Sequence, residues 1–328
     1  MTLKSAVLEF AALSRDLPVQ RWDEALLTVE VGGGLIPFVN MNGPSSSVAS
    51  RPFCDQKQLT AACLRRAGLA VATNRAFRLD QQRDAIAFAH EIGAPVVVKP
   101  NSAARGRGVT LDIHDLDGFW RAWRLAAKIV AKRPGAYVVV EQFVVGDDYR
   151  CVVVDDRVVA ATRRVRAHVV GDGHHSVARL IAAKNRLRAL NPYLCRYPIA
   201  DELHELDALR DAGLDLDHVP SAGHSVTLRG TSNLATGGDN IDVLDAMHPS
   251  YLEVAVRALR AIPGMAYGGV DVLVRDISAP ATATNHVVSE VEYAPGPGPS
   301  FPVEGVARDV AGAVLEFYLA QARDLRQE

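Results

Sequence analysis

Three carboxylates and one lysine carry most of the chemistry that this chain's residue order suggests. Val-Val-Val-Lys-Pro at 96–100 reads as a buried strand that delivers Lys99 at its end. An ammonium there is costly unless it meets an anion. A small-residue loop follows, with Arg105, Gly106, Arg107 and Gly108, and such loops can turn backbone N–H groups toward phosphate oxygens. Far downstream, Glu290 and Glu292 are two apart in an apolar run, so on a strand both side chains leave the same face. Two like charges held that close call for a divalent cation, and carboxylate oxygens suit Mg²⁺. Asp271, in another apolar run, could complete the cage. Phosphates with Mg²⁺ amount to nucleotide chemistry.

Other chemistries lose their best signals. Gly106 and Gly108 would need a third glycine at 111 for a dinucleotide fingerprint, and that position is Leu111. There is no G-x-x-x-x-G-K-[ST], H-E-x-x-H or G-x-S-x-G in the chain. Cys54, Cys63, Cys151 and Cys195 form no C-x-x-C and read as reduced, mostly buried thiols of a cytoplasmic protein. His174 and His175 are adjacent in a turn, where side chains point apart. They read as polar turn residues, as His168 and His224 read as structural polar groups. The basic run Arg157, Arg163, Arg164 and Arg166 has no interleaved aromatics. It suits phosphate or an acidic substrate better than nucleic acid, as does a net charge of −2.

The elements that must position these groups follow from apolar periodicity. Segments 57–67 and 82–92 recur at helical spacing and close on Gly68 and Gly93. Helices are also expected at 119–132, 251–261 and 306–325. Strands are expected at 26–31, 35–39, 95–100, 137–142, 225–228, 269–274 and 287–291, with a hairpin at 146–165 turning on Asp155 and Asp156. An amphipathic helix with Val7, Phe10 and Leu17 opens the chain, 42–50 reads as a linker, and 184–218 as surface helices and loops. Trp22, Trp120 and Trp123 read as packing residues. Interleaved helices and strands argue α/β or α+β. The apolar runs fall short of a bilayer span of roughly 18–20 residues, and Glu9 interrupts the one at the N-terminus, which does not read as a secretion signal.

At this point the motifs, in their order, resemble those of the ATP-grasp ligases, in particular the ATP-grasp portions of cyanophycin synthetase and bifunctional glutathione synthetase. The motifs are Cys-Asp-Gln-Lys-Gln-Leu-Thr at 54–60, Val-Val-Val-Lys-Pro at 96–100, Gly-Arg-Gly-Val at 106–109 and Val-Glu-Gln-Phe at 140–143. Gly-Asp-Asp-Tyr-Arg at 146–150, Ala-His-Val-Val-Gly-Asp-Gly at 167–173, the stretch 226–238 and Gly-Val-Asp-Val at 269–272 follow. The resemblance implies an α+β ATP-grasp fold whose two subdomains (53–143, the lid, and 144–328, the catalytic part) clamp ATP, behind a small α/β cap at 1–52. It places Lys57 and Lys99 on ATP phosphates and the loop of Arg105, Gly106 and Gly108 over them as a lid. Glu141 would meet the adenine amine, backbone groups around Phe143 the ring edge, and Asp148 the ribose. Arg229, the N–H groups at Gly237 and Gly238, and Arg164 would hold the transferred phosphoryl group. Asp271, Glu290 and Glu292 would bind two Mg²⁺ ions, for which Mn²⁺ could stand in.

The implied reaction has two steps. A substrate carboxylate takes the γ-phosphoryl group of ATP as an acyl phosphate, then an amine displaces phosphate to give an amide. The implied substrates are amino acids or short peptides, with no nucleic acid or membrane partner, and a homodimer is compatible. Two departures stand out: Glu-Val-Glu at 290–292 replaces the family's Glu-x-Asn, and Ala-Ala-Arg at 103–105 replaces Gly-Asn-His. The stretch 185–218 departs most from these relatives. The first departure motivates an alternative, a catalytically silent ATP-binding or interaction protein of the same fold. A length of 328 residues lacks room for the second catalytic half of either bifunctional relative, so one kind of bond is expected.

Overall fold

The computed structural model describes residues 1–102, 107–131 and 136–324. A cap opens the chain: α1 (Leu3–Leu13), then β1 (Val19–Arg21), β2 (Leu26–Val31) and β3 (Gly34–Val39), forming one antiparallel sheet in that order. Its helix buries Leu8, Ala11 and Ala12 against α9 (Val310–Asp324) and leaves Phe10 out. Of the expected apolar positions, Val7 and Leu17 pack beside this core and Phe10 does not. Trp22 is 63% exposed and packs into no core. Nor is 42–50 a free linker: Ser47 N–H donates to Gly264 O (3.0 Å) and Ser50 Oγ to Pro263 O (2.7 Å), which ties it to the far end of the sequence.

Two short helices follow, α2 (Arg51–Asp55) and α3 (Lys57–Arg66). The next unit is a four-stranded antiparallel sheet ordered β4 (Asn74–Arg78), β7 (Tyr137–Gln142), β5 (Val96–Pro100), β6 (Thr110–Ile113), with α4 (Gln82–Ile92) and α5 (Leu116–Val130) on it. Asp115 caps α5 by accepting from Gly118 N–H (2.6 Å). The buried residues Phe119, Ala122, Trp123, Ala126 and Val130 then recur at helical spacing. The valines of β5 are all buried, which fits a strand flanked on both sides.

The larger sheet is five-stranded: β12 (Asp239–Asp242), β9 (Arg157–Val165), β8 (Asp147–Val154), β13 (Tyr267–Val274), β14 (His286–Glu292). One face packs α8 (Pro249–Arg260) together with Cys54, Leu64 and Leu69, so α2 and α3 lie on this sheet. The other face packs the cap and α9. Between β9 and β12 comes β10 (His168–Val170), α6 (Val177–Arg188), α7 (Asp207–Asp211) and β11 (Ser225–Thr227). Here the expected surface stretch builds a core of its own, burying Leu194, Ile199, Leu206 and Leu209. Every pairing within these sheets is antiparallel, so the fold is α+β. Among the described residues no helix is long and apolar enough to cross a membrane.

Candidate active site

A cavity of about 870 Å³ opens between the two larger sheets, with Lys99 and Arg107 on one side and Arg150, Asp271, Glu290 and Glu292 on the other. The far wall is set by register. Arg150 on β8 stands opposite Asp271 on β13, which stands opposite Glu290 on β14. Cross-strand partners share a face, so a cation and two carboxylates form one row. Arg150 takes both ends of the arrangement: Nε and Nη2 donate to Asp271 (Nη2 to Oδ2 at 2.9 Å), and Nη1 donates to Glu292 Oε2. A Cβ on Gly269 would sit 3.0 Å from the Arg150 side chain, so a larger residue there would press on this guanidinium. Arg164 bridges Asp148 Oδ1 (2.7 Å) and Asp271 Oδ2 (2.6 Å), and Ser232 Oγ donates to the other oxygen of Asp148. Lys57, on the first turn of α3, reaches Glu290 Oε1 at 3.0 Å.

Burial pushes the Asp271 carboxyl up, but Arg150 and Arg164 outweigh it and hold the group below the ordinary carboxylate range. Burial likewise opposes ionisation of Glu290, and Lys57 overcomes it, so its pKa falls too. Lys57 in turn is raised, Glu290 outweighing its desolvation. All these groups stay charged at neutral pH. Cys54 and Cys151, pushed up to about 12 by burial, contribute no thiolate.

The near wall is sparser. Lys99, 8% exposed at the end of β5, donates to Glu141 Oε1 at 2.8 Å. Arg105 and Gly106 lie outside the described residues. Gly108 has φ +72°, and a Cβ there would meet Ile129 Cδ1 at 2.5 Å, so only glycine fits this end of the loop.

Several expected roles need correction. Asp271 is already engaged, both its oxygens accepting from guanidinium groups, so a metal ion would share it with Arg150 and Arg164. The described residues contain no cluster of three or more His, Cys, Asp or Glu able to hold a metal. Gly238 N–H donates to Asn233 O (3.0 Å) and Gly237 N–H to Leu234 O (3.2 Å). Those donors close a tight turn and offer no anion hole. Phe143 N–H donates to Pro95 O (3.1 Å), so that donor is engaged and an adenine edge would have to meet the neighbouring backbone groups. Arg229 is absent from the described cavity lining, and its Nε lies 3.4 Å from Asp207.

Glu290 and Glu292 behave differently. Glu290 Oε2 and Glu292 Oε1 accept no hydrogen bond among the described residues, and both side chains line the cavity. Mg²⁺ is usually held by one or two carboxylates together with phosphate oxygens, and this donor set fits that description. Sequence reasoning missed Arg150. Its signal was present in the Gly-Asp-Asp-Tyr-Arg motif, but nothing in the order of residues says that β8 lies beside β13.

No family model matches the sequence. The chain is 36% identical over 271 residues to cyanophycin synthetase of Nostoc sp., covering 80% of this chain and 29% of that protein. It is 35% identical over 291 residues to the glutathione biosynthesis bifunctional protein GshAB of Mannheimia succiniciproducens, covering 86% of this chain and 37% of that one. The crystal structure of a bifunctional glutathione synthetase from Pasteurella multocida superposes with a TM-score of 0.72 at 30% identity, over 98% of this chain and 44% of that one. A D-alanine–D-alanine ligase from Bacillus anthracis shares the fold at a TM-score of 0.52 and 15% identity, over 85% and 70% of the two chains. The chain thus spans roughly a third of the curated relatives it matches. With the α+β fold and the motif order in place, the chain is homologous to a stretch of cyanophycin synthetase and of bifunctional glutathione synthetase, and it has the ATP-grasp fold.

Proposed function

We propose that this chain is an ATP-dependent carboxylate–amine ligase, joining amino acids or short peptides through an acyl phosphate and releasing ADP and phosphate. The observation that carries the reading is the cavity itself: Lys99 from one sheet and Lys57 beside the other meet across from two carboxylates with free oxygens. Cations on opposite walls suit a polyphosphate, and the Lys57–Glu290 and Lys99–Glu141 pairs keep those cations in place before it arrives.

In the first step a substrate carboxylate oxygen attacks the γ-phosphorus, and the bond to the β,γ-bridging oxygen breaks as ADP leaves. An amine nitrogen then attacks the acyl carbon, phosphate departs, and the amine proton is lost to form the amide. Lys57 and Lys99 orient the phosphates. Glu141 and the 141–144 hinge face the nucleotide base, and Asp148 the ribose once it parts from Arg164. Arg164, whose Nε has no hydrogen-bond partner among the described residues, answers the charge that builds on the transferred group. Arg229 would serve there only after leaving Asp207. Glu290 and Glu292 would hold Mg²⁺, or Mn²⁺ in its place, and the metal supplies neutralisation of phosphate charge. A cytoplasmic enzyme acting on small molecules, as monomer or homodimer, accords with this reading.

The test is ADP release from Mg-ATP against pools of amino acids and dipeptides, with products weighed. One pool should stimulate release and yield a product of two substrates minus water, abolished by Lys99→Ala and Glu290→Ala. Release indifferent to every pool, or to both substitutions, would overturn the proposal. The hold of Arg150 on Glu292 favours a second reading, a nucleotide-binding protein without turnover. Glu292→Asn decides between them: turnover gained only by that variant supports the second.

A further inference from the structure

The cap lines the cavity as well as covering the sheet. Thr2, Lys4 and Asn40 all face it, although the resemblance assigned the cap no chemistry. Lys4 stands out. Its Nζ donates to the backbone oxygen of Ala294 (2.6 Å), just beyond β14, and no carboxylate lies within 4.0 Å among the described residues. An ammonium has three donors, so a neutral carbonyl leaves it two, and Glu292 acts on its charge only from beyond ion-pair distance. Desolvation draws the Lys4 pKa below its ordinary value, against an opposing pull from Glu292 and with a further push down from Arg150.

The position is built. Thr2 Oγ1 accepts from Ser5 N–H (3.1 Å) and donates to Asn40 Oδ1 (2.6 Å). Asn42 Nδ2 donates to Tyr293 O (2.8 Å), and the Tyr293 hydroxyl donates to Ser46 O (2.7 Å). The first turn of α1 is thereby fixed against the strand end that carries Glu292. Four other cations of the cavity wall each have a carboxylate at ion-pair distance: Lys57 has Glu290, Lys99 has Glu141, and Arg150 and Arg164 share Asp271. Lys4 has none, and it comes from a part of the chain remote from the phosphate-facing lysines.

We propose that Lys4 binds a second carboxylate of the substrate, one that is not activated, and so selects acidic amino acids or peptides over their amides. The inference rests on the ligase reading for the word substrate, but its binding test does not need turnover. Wild type, Lys4→Met and Lys4→Arg are saturated with Mg²⁺ and a non-hydrolysable ATP analogue. Pools of amino acids and dipeptides bearing side-chain carboxylates, and the matching amides, are then screened by saturation-transfer NMR and titrated.

Wild type should bind a carboxylate-bearing member at least about tenfold more tightly than its amide. Lys4→Met should lose that preference, Lys4→Arg should keep most of it, and all three should bind the nucleotide analogue alike. Equal binding of acid and amide by wild type, no binding of either, or an unchanged preference in Lys4→Met would overturn the inference. A parallel assay of ADP release separates the two ideas: selective binding without turnover sinks the ligase reading alone.

Discussion

The two walls of the cavity are built on different principles. On the five-stranded sheet, Arg150, Asp271 and Glu290 are placed by strand register, and each charge is met by an opposite one on a neighbouring element. On the four-stranded sheet one pair, Lys99 with Glu141, stands at the strand ends before a loop. A wall whose charges hold one another is rigid, and any single loss leaves a buried charge unmet. A wall with one pair is easier to alter and freer to move. Such a division suits an enzyme that must hold phosphate and metal on one side while closing on them from the other.

The contrast can be broken at its strongest point first. Asp271→Ala should cost about 3–5 kcal/mol of stability, because two buried guanidiniums lose their shared partner; chemical denaturation measures it. Lys99→Ala should leave the fold nearer to wild type, at a cost of about 1–3 kcal/mol from the partner Glu141. Its ADP release should nonetheless fall by about 10²–10³-fold, as when a preorganised charge is removed. Comparable stability losses in the two variants would erase the difference between the walls.

Acid should act on the same wall. Asp271 has a folded pKa below its unfolded value, so its stabilisation is complete above about pH 4 and is lost as the pH falls toward 2. Asp271→Asn should flatten that slope, by about 2 kcal/mol across the window. Glu292 is more exposed, at 40% of its side chain, so Glu292→Asn should change stability by no more than about 1 kcal/mol. It should still shift the Mg²⁺ concentration needed for half-maximal ADP release. The smallest effect belongs outside both walls: Trp22→Ser on the cap surface should stay within about 0.5 kcal/mol of wild type.

What the sequence disclosed depended on distance along the chain. Lys99 was legible because the valines and the proline that place it are its neighbours. Glu290 and Glu292 were legible because alternation on a strand is local. Asp271 was found but without its partner, since Arg150 lies 121 residues away and meets it through the pairing of β8 with β13. Gly237 and Gly238 are an exception to that rule: their acceptors, Leu234 and Asn233, are only three and five residues back, but a glycine pair shows permissive backbone without showing which turn consumes its N–H groups. The cap helix was expected, but its buried face depends on where α9 packs, and the entry of Lys4 into the cavity depends on a contact with Ala294. The core of 194–209 was hidden for a similar reason. Its charged, weakly periodic sequence supplies scattered leucines and isoleucines that converge only in three dimensions.

The central claim is that a carboxylate takes the phosphoryl group at this cavity. The measurement that tests it most directly follows oxygen: the chain is supplied with Mg-ATP and a pool of amino acids and dipeptides labelled with ¹⁸O in their carboxyl groups, and the released phosphate is weighed. The account predicts phosphate carrying one labelled oxygen from the carboxylate, formed with ADP and lost in Lys99→Ala. ADP accompanied by unlabelled phosphate would mean that water or another group had taken the phosphoryl, and would contradict it.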